Sequence, residues 1–279
     1  MIYQIKETES KDLKVEIESN KAVFYFLSDL HIDSKYCDKA LLLKHLKAAK
    51  NENALIFVFG DIFDAMQTKL DRRHRKEDVD TKFLENGYLN SIVKFGVEFF
   101  EPYKENIAML GYGNHELTLI KKHEFDIVKE LAERLNVPYT GYEGFIQFNI
   151  KPFSNSPSKF RKVLYYTHGQ QSEAPMTMGI LSHKRLDVWV RDVDIIISGH
   201  KHLHWFYEQI TMGITSKARR YFKTIYHLQL PTYLLRTDKY SYVSENLIPP
   251  PSLGGIRCEM ICNNNHKIDD VKLKFERLI

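Results

Sequence analysis

The chain has 279 residues, which is enough for one large domain or two small ones. Hydrophobic residues make up 43% and charged residues 27%, a balance that is typical of a globular enzyme and argues against a disordered chain. The net charge of +4 is compatible with a nucleic-acid or nucleotide partner but does not require one. The N-terminus lacks the apolar core of a secretory signal, and no apolar run reaches the roughly 18 residues of a membrane span. We therefore expect no membrane association.

The three cysteines, Cys37, Cys258 and Cys262, are few, odd in number and lack CxxC spacing. This pattern argues against a disulfide framework and against a structural zinc site. We therefore expect a reducing, cytoplasmic setting.

Short apolar runs alternate with helical patterns in the first half of the chain. We predict buried strands at residues 21–27, 54–59 and 107–111, a helix at 38–50, and a charged, mostly helical segment between the second and third strands. This alternation predicts βαβ units and a largely parallel sheet.

The second half changes character. We predict strands at 145–150, 162–167 and 194–198, a helix at 178–191, a hairpin formed by 203–210 and 221–230, and a second sheet completed by 256–261 and 271–275. Insertions are expected near 65–90, where the mixed-sign run DRRHRKED suggests a solvated helix face, and near 240–255, a loop rich in proline and glycine. No internal repeat or long linker is evident, so we expect a single domain over residues 1–279.

The acids, the histidines and one asparagine of interest all follow predicted strands at the point where each strand ends. In open α/β sheets, this carboxyl edge is where ligands bind. Carboxylate, imidazole and amide oxygen donors suit borderline and hard cations such as Mn²⁺, Zn²⁺ or Fe. The residues concerned are Asp29, His31, Asp61, Asp64, Asn114, His115, His168, His200 and His202.

The segments SDLHID, GDIFD, GNHE, THG and GHKH, which contain these residues, resemble the five signature motifs of the calcineurin-like metallophosphoesterase family, in the family's order. Each motif alone is weak, but five in order are highly specific. The resemblance implies an α/β fold, a two-sheet α/β/β/α sandwich. It also implies two divalent metal ions, with Mn²⁺ as our first choice and Zn²⁺, Fe or Ni²⁺ as alternatives.

The resemblance further implies a role for each residue. Asp61 would bridge the two metals, and a metal-bridging hydroxide would attack phosphorus. His115 would lie near the leaving oxygen, with Asp64 holding it in its working orientation. The remaining ligands would be Asp29, His31 and His202 for the first metal, and Asn114, His168 and His200 for the second.

The implied reaction is hydrolysis of a phosphate ester, and our first choice of substrate is a phosphodiester in nucleic acid or a nucleotide. The form GDIFD and the basic charge favour the nuclease branch of the family, although its repair nucleases carry extra domains that this chain is too short to hold. Ser/Thr protein phosphatases of the superfamily carry an Arg-Gly pair after the second motif, where this chain reads GDIFDAM. The alternatives are a phosphomonoesterase and a catalytically silent metal-binding scaffold. The oligomeric state stays open.

Several neighbouring residues have plainer interpretations. We expect Asp33 to be a turn or helix-cap residue, and Trp189 and Trp205 to lie in the core. His204 should share a side with His202 and could contact substrate. A basic cluster is either solubilising or steers a polyanion toward the site; it comprises Lys217, Arg219, Arg220 and Lys223. The same question applies to Arg72, Arg73 and Arg75.

Overall fold

The computed structural model describes residues 2–65, 80–83, 87–152, 159–169, 177–235, 250–262 and 271–279. The strands in these ranges are β1 (Ile2–Glu7), β2 (Leu13–Glu18), β3 (Lys21–Leu27), β4 (Leu55–Val58), β5 (Ile107–Leu110), β6 (Glu143–Lys151), β7 (Phe160–Thr167), β8 (Ile195–Ser198), β9 (Trp205–Ile214), β10 (Arg220–Gln229), β11 (Gly255–Cys262) and β12 (Val271–Leu278). The α-helices are α1 (Lys39–Asn51), α2 (Tyr88–Phe100), α3 (Asn114–His123), α4 (Ile127–Leu135) and α5 (Ile180–Leu186). Two short 3₁₀ helices span Thr81–Phe83 and Glu101–Asn106.

In the described part of the chain the strands form two mixed sheets. The five-stranded sheet has the order β12-β11-β3-β4-β5, in which β3, β4 and β5 run parallel and β11 and β12 run antiparallel to their neighbours. The seven-stranded sheet has the order β1-β2-β6-β7-β8-β10-β9. Parallel pairs in it join β2 to β6, β7 to β8 and β8 to β10.

The inner faces of the two sheets pack against each other through an apolar core that contains a group of aromatic rings. Phe24 of β3 lies 4.8 Å from Phe148 of β6, ring centre to ring centre, and Phe59 lies 5.2 Å from Tyr166. Alternation along β2 points Leu13, Val15 and Ile17 into the same core. Burial of this apolar surface is the main force that holds the sheets together.

Helices cover both outer faces. Residues of α1, α2 and α4 pack on the five-stranded sheet in one buried cluster. Leu186 of α5 and the following Val190 and Val193 pack on Ile196 of the seven-stranded sheet. These layers confirm the α/β/β/α sandwich. Within the described ranges, none of the helices combines the length and the apolar character that a membrane crossing requires.

Most predicted elements are present, and three expectations are wrong. Neither sheet is largely parallel. Residues 256–261 and 271–275 belong to the same sheet as β3, because β11 pairs directly with β3. The helix expected at 178–191 spans only Ile180–Leu186. Most of the 65–90 insertion, including DRRHRKED and Arg72, Arg73 and Arg75, lies outside the described residues, as does 236–249 of the proline-rich loop. The single-domain organisation stays a prediction.

Candidate metal centre

The loops that carry the motif residues meet at one edge of the sandwich. In the five-stranded sheet, Leu27 is level with Val58, and Val58 with Leu110, so β3, β4 and β5 end together. In the other sheet, Thr167 is level with Ser198. The two edges are linked by His168, whose Nδ1 lies 2.9 Å from the carbonyl oxygen of Phe59. The parallel register therefore brings five separated loops to one place.

Asp29, His31 and His202 form the first group of ligand atoms. Asp29 Oδ1 lies 3.2 Å from His202 Nε2, and one ligand atom from each of the three residues lies within 4.8 Å of the others. Both carboxylate oxygens of Asp29 also accept from the backbone N–H of His200, at 3.1 and 2.9 Å. This contact fixes the carboxylate and ties the first motif to the last.

Asp61, His168 and His200 form the second group. Asp61 Oδ2 lies 3.1 Å from His168 Nε2, and the same nitrogen lies 4.0 Å from Asp29 Oδ1. The two groups are therefore neighbours, with Asp61 and His168 beside the first group. Asn114 begins α3 next to Asp61, whose Oδ1 accepts from the backbone N–H of His115 at 3.1 Å.

His31, Asp64 and His115 form a third group that overlaps the first. Asp64 Oδ1 lies 3.4 Å from His31 Nδ1 and 3.5 Å from His115 Nδ1. The closer contact to His115 is made by the backbone carbonyl oxygen of Asp64, 2.5 Å from Nδ1. Because a carbonyl oxygen can only accept, Nδ1 of His115 is the donor and Nε2 is left facing the other groups, 3.7 Å from Asp61 Oδ2.

The electrostatics of the site favour positive charge. Burial alone would lower the pKa of His31 and His168, but the surrounding carboxylates raise it to about 9 for His31 and about 10 for His168. Burial alone would raise the pKa of Asp29 and Asp61, but the histidines hold it below the ordinary range. Three acids in a buried site create a negative potential, which bound divalent cations would neutralise in place of protons.

Unpaired polar atoms at the site fit a cation-binding role. Of the buried side-chain atoms that have no hydrogen-bond partner in the described part of the chain, four lie at this site: both ring nitrogens of His31, Asn114 Oδ1 and His168 Nε2. Unsatisfied buried polar atoms are costly and need an explanation, and a bound cation supplies one. Burial lowers the pKa of His200 to about 4, with the nearby His168 acting in the same direction, so its imidazole is neutral as a metal ligand requires. The residues therefore fit a centre with nitrogen and oxygen ligands.

Glu116, the last residue of GNHE, supports the site, although no role for it was predicted from the sequence. Its buried carboxylate accepts from three backbone N–H groups, those of Asp61 at 3.1 Å, Phe63 at 3.0 Å and Gly113 at 2.8 Å. It therefore ties the second motif to the third. Its position next to His115 was the signal that could have identified it.

Asp33 lies in a turn just after the first motif, as the sequence had suggested, but its carboxylate also contacts distant parts of the chain. Its buried carboxylate accepts from the backbone N–H groups of Asp64 at 2.5 Å and Ala65 at 3.0 Å, and from the hydroxyl of Tyr88 at 2.5 Å. It anchors the loop that carries Asp64 to the start of α2.

Other expected residues lie away from the three groups. His204 Nδ1 lies 3.1 Å from the carbonyl oxygen of Gln229, and its side chain lines a separate cavity. Trp205 is buried as expected, but the core assignment of Trp189 is wrong, since it is 63% exposed.

The basic cluster around Arg220 lies at the other end of β10 from Gln229, about 30 Å from the motif edge at roughly 3.3 Å per residue. Whether it steers a polyanion toward the site stays a prediction.

A family model for calcineurin-like phosphoesterases matches residues 22–204, which contain all of the motif residues. The chain belongs to the calcineurin-like phosphoesterase family. Members of this family are metal-dependent phosphoester hydrolases with a dinuclear divalent centre, and the His/Asp groups described above are the candidate site for it. No curated protein matches the chain.

Solved structures similar to this chain include three with low identity. GAP50, the anchor in the inner membrane complex of Plasmodium, is 14% identical, with 92% of this chain and 84% of that chain covered and a TM-score of 0.43. A metallophosphoesterase from Sphaerobacter thermophilus is 12% identical, with 93% and 88% covered and a TM-score of 0.37. The Thermotoga maritima protein TM1076 is 13% identical, with 92% and 99% covered and a TM-score of 0.34. These values are too low for any transfer of function.

Proposed function

We propose that the chain is a phosphodiesterase that acts on nucleic acid or a nucleotide, with two divalent cations, Mn²⁺ in the first instance. The first cation would be held by Asp29, His31 and His202. The second would be held by Asn114, His168 and His200, with Asp61 shared between them. The observation that carries the proposal is the meeting of the two ligand groups, which Asp61 and His168 bring side by side.

When bound, the two cations would polarise the phosphoryl group and lower the pKa of water near phosphorus. The chain itself contributes the proton donor. His115 Nδ1 donates to the Asp64 carbonyl oxygen, which fixes the ring plane and leaves Nε2 facing the site. In the imidazolium form, which carries a second proton on Nε2, the ring would give that proton to the leaving oxygen and become neutral. His115 and Asp64 are both buried. Burial strengthens this donation, because the site holds little bulk water to screen it.

A diester is favoured over a monoester by the residue that follows Asp64. A monoester dianion carries one more negative charge than a diester, and the phosphatases of the superfamily meet it with an arginine at this point of the sequence. Here the position is Ala65, which is buried and donates its N–H to Asp33. A neutral methyl group at this position suits a substrate with a single negative charge.

The cysteines support the proposed compartment. Cys37, Cys258 and Cys262 are buried thiols, which suits the reducing conditions of the cytoplasm. We also propose that residues 1–279 form one domain around the described sandwich.

The test compares hydrolysis of bis-p-nitrophenyl phosphate and p-nitrophenyl phosphate by the wild type, with Mn²⁺ and with chelator. Mn²⁺-dependent cleavage that is faster for the diester is expected. His115→Ala should keep Mn²⁺ binding and lose activity by roughly 10²–10⁴-fold, the usual contribution of a general acid. His123→Ala is the matched control, because His123 ends the same helix without belonging to the three ligand groups.

Faster cleavage of the monoester would overturn the phosphodiesterase assignment and leave the phosphoesterase family assignment intact. Bound Mn²⁺ without turnover of either ester or of oligonucleotides would indicate a scaffold. For a nucleic-acid substrate, affinity should fall steeply as salt rises, because phosphate contacts release counterions.

A further inference from the structure

The hairpin formed by β9 and β10 extends beyond the rest of its sheet. The two strands pair along their whole lengths, from Trp205 with Gln229 to Ile214 with Arg220. Strand β8 supports β10 only between Tyr226 and Gln229. The outer half of the hairpin therefore projects from the sandwich, at the end opposite the metal centre.

One face of this projecting half is apolar and exposed. Ile210, Met212 and Ile214 alternate along β9 and so share a face, and Phe222 lies opposite Met212 on β10. Their exposed fractions are 70%, 65%, 67% and 65%. Scattered exposed apolar residues are ordinary, but a contiguous set on one strand pair marks an interaction site. We call these four residues the hairpin patch.

The hairpin patch continues a face that is partly buried nearer the sandwich. Phe206, four residues before Ile210 on the same face, is 41% exposed, and Leu228, opposite it on β10, is buried. The ring of Phe206 lies 5.6 Å from that of Phe275 of β12, and a cavity of about 360 Å³ lies beside these two rings. Among the described residues, this face therefore packs against β12 at its base and is exposed at its tip.

The unpaired edge of β9 indicates which kind of partner binds beside the patch. In the described part of the chain, β9 ends the sheet, and no strand pairs with its outer side. A lipid bilayer would not satisfy the outward backbone N–H and C=O groups of this edge, since unpaired backbone groups are costly in hydrocarbon. A second strand would satisfy them, as in sheet extension between chains.

The charges along the hairpin are complementary to a second copy placed antiparallel. The tip carries Lys217, Arg219 and Arg220, and β9 carries Glu208 near its base. A two-fold axis places the basic tip of each copy beside Glu208 of the other. Opposite charges at both ends of an apolar centre fix the direction of pairing.

We propose that the hairpin patch is the interface of a homodimer, in which β9 pairs antiparallel with β9 of a second copy about a two-fold axis at Met212. This register places Ile210 opposite Ile214 of the second copy and Met212 opposite itself. The apolar side chains of the two β9 strands then lie side by side in three cross-strand pairs, and the two seven-stranded sheets become one continuous sheet. The interface lies at the far end from the metal centre, so the proposal is independent of the proposed function.

Sedimentation equilibrium of the full chain over roughly 1–100 µM tests the proposal, since micromolar dissociation constants fall in this range. The wild type should reach twice the mass of the chain. Ile210→Lys should weaken dimerisation at least about tenfold, because a charge would be buried at a self-complementary interface. Val188→Lys is the matched control, because Val188 is also 70% exposed but lies after α5, outside the hairpin. The mass distribution of this variant should equal that of the wild type.

Cross-linking tests the register. Met212→Cys should form an intermolecular disulfide under mild oxidation, because residues directly opposite in an antiparallel pair lie within disulfide reach. Glu208→Cys should not, since the two copies of this residue lie far apart in the proposed register. The native cysteines are buried, so background cross-linking should be low.

A wild type that stays monomeric over this range would overturn the proposal, and so would a dimer that Ile210→Lys leaves intact. Failure of Met212→Cys to cross-link in a dimeric sample would rule out the β9–β9 pairing. Flotation of a monomeric wild type with phosphatidylserine vesicles would assign the patch to an anionic membrane instead. Circular dichroism of each variant separates loss of the dimer from loss of the fold.

Discussion

Glu116 offers a sharp test of how the site is held, through two substitutions that both remove its charge. Glu116→Gln keeps one oxygen, which can stay at the position that now accepts from the N–H groups of Asp61 and Gly113. Glu116→Ala keeps neither. The N–H of Phe63 loses its acceptor in both variants. The comparison therefore isolates two hydrogen bonds between the second and third motifs.

The comparison is needed because the charge itself is costly. Burial, together with the nearby Asp61, raises the pKa of Glu116 to about 7. A shift from 4.5 to about 7 corresponds to about 3 kcal/mol, which opposes folding once the pH rises above 7 and which either substitution removes. A buried N–H without a partner costs about 1–3 kcal/mol. We therefore expect Glu116→Ala to be less stable than Glu116→Gln by about 2–6 kcal/mol, whatever the cost of the charge.

Urea unfolding at pH 8 with chelator measures this difference without contributions from bound cations. Glu98→Gln, a change at an exposed glutamate of α2, should match the wild type and serves as the control. Titration calorimetry with Mn²⁺ should then show weaker binding for Glu116→Ala than for Glu116→Gln, because the loop that carries Asp61 loses its anchor. Equal urea midpoints for the two Glu116 variants would refute the reasoning.

Three further predictions follow from the same geometry. Asp64→Asn should cost less activity than His115→Ala, because the backbone carbonyl of residue 64 still accepts from His115 Nδ1; equal losses in kcat would show that the carboxylate is what matters. Asp61→Asn should weaken Mn²⁺ binding at both positions, so calorimetry that still gives two sites of wild-type affinity would contradict a shared carboxylate. Burial lowers the pKa of His183 to about 3, and the nearby His227 lowers it further. Burial likewise lowers the pKa of His227 to about 4, and Lys184 acts in the same direction. Since the unfolded chain takes up these protons near pH 6.5, their contribution to stability is full above that pH and should fall by on the order of 2 kcal/mol per histidine at pH 5. When both residues are changed to Gln, the urea midpoint should therefore fall less between pH 8 and pH 5 than it does in the wild type.

The sequence predicts what depends on local pattern. The run KAVFYFL is apolar throughout, and its predicted bounds match β3, because a strand buried on both faces has no polar positions. The position of polar residues at the ends of such strands could also be predicted without knowing which strands pair with one another. For these reasons the sequence alone predicts that the motif residues lie together at one edge of the sandwich.

What the sequence missed depends on contacts between distant residues. The assignment of β11 to the wrong sheet arose because its partner β3 lies more than two hundred residues earlier, and no local pattern records that pairing. Asp33 looks like a cap because it sits in a loop, but its partners Asp64 and Tyr88 lie 31 and 55 positions away. The hairpin of β1 and β2 was overlooked because its strands alternate apolar and charged residues in a polar N-terminus.

The backbone of the site adopts an uncommon conformation at five of the motif residues. Asp29, His31, Asp61, His200 and His202 all have positive φ, between 46° and 71°. For residues with a side chain this conformation costs on the order of 1 kcal/mol each. Strain of this kind persists only where surrounding contacts fix it, and it clusters at functional sites.

Hydrogen bonds between the loops supply that constraint. The N–H of Leu30 donates to the carbonyl oxygen of Asp61 at 2.8 Å, and the N–H of Ile32 to that of Ile62 at 2.9 Å, so the first two motif loops pair almost like strands. Gly60, with φ 94°, has backbone of the third motif where a side chain would be, which allows the loops to approach this closely. The cost of this strained backbone is offset by the contacts that form on folding. These contacts hold His31 in a fixed position, from which one of its ring nitrogens can act as a ligand.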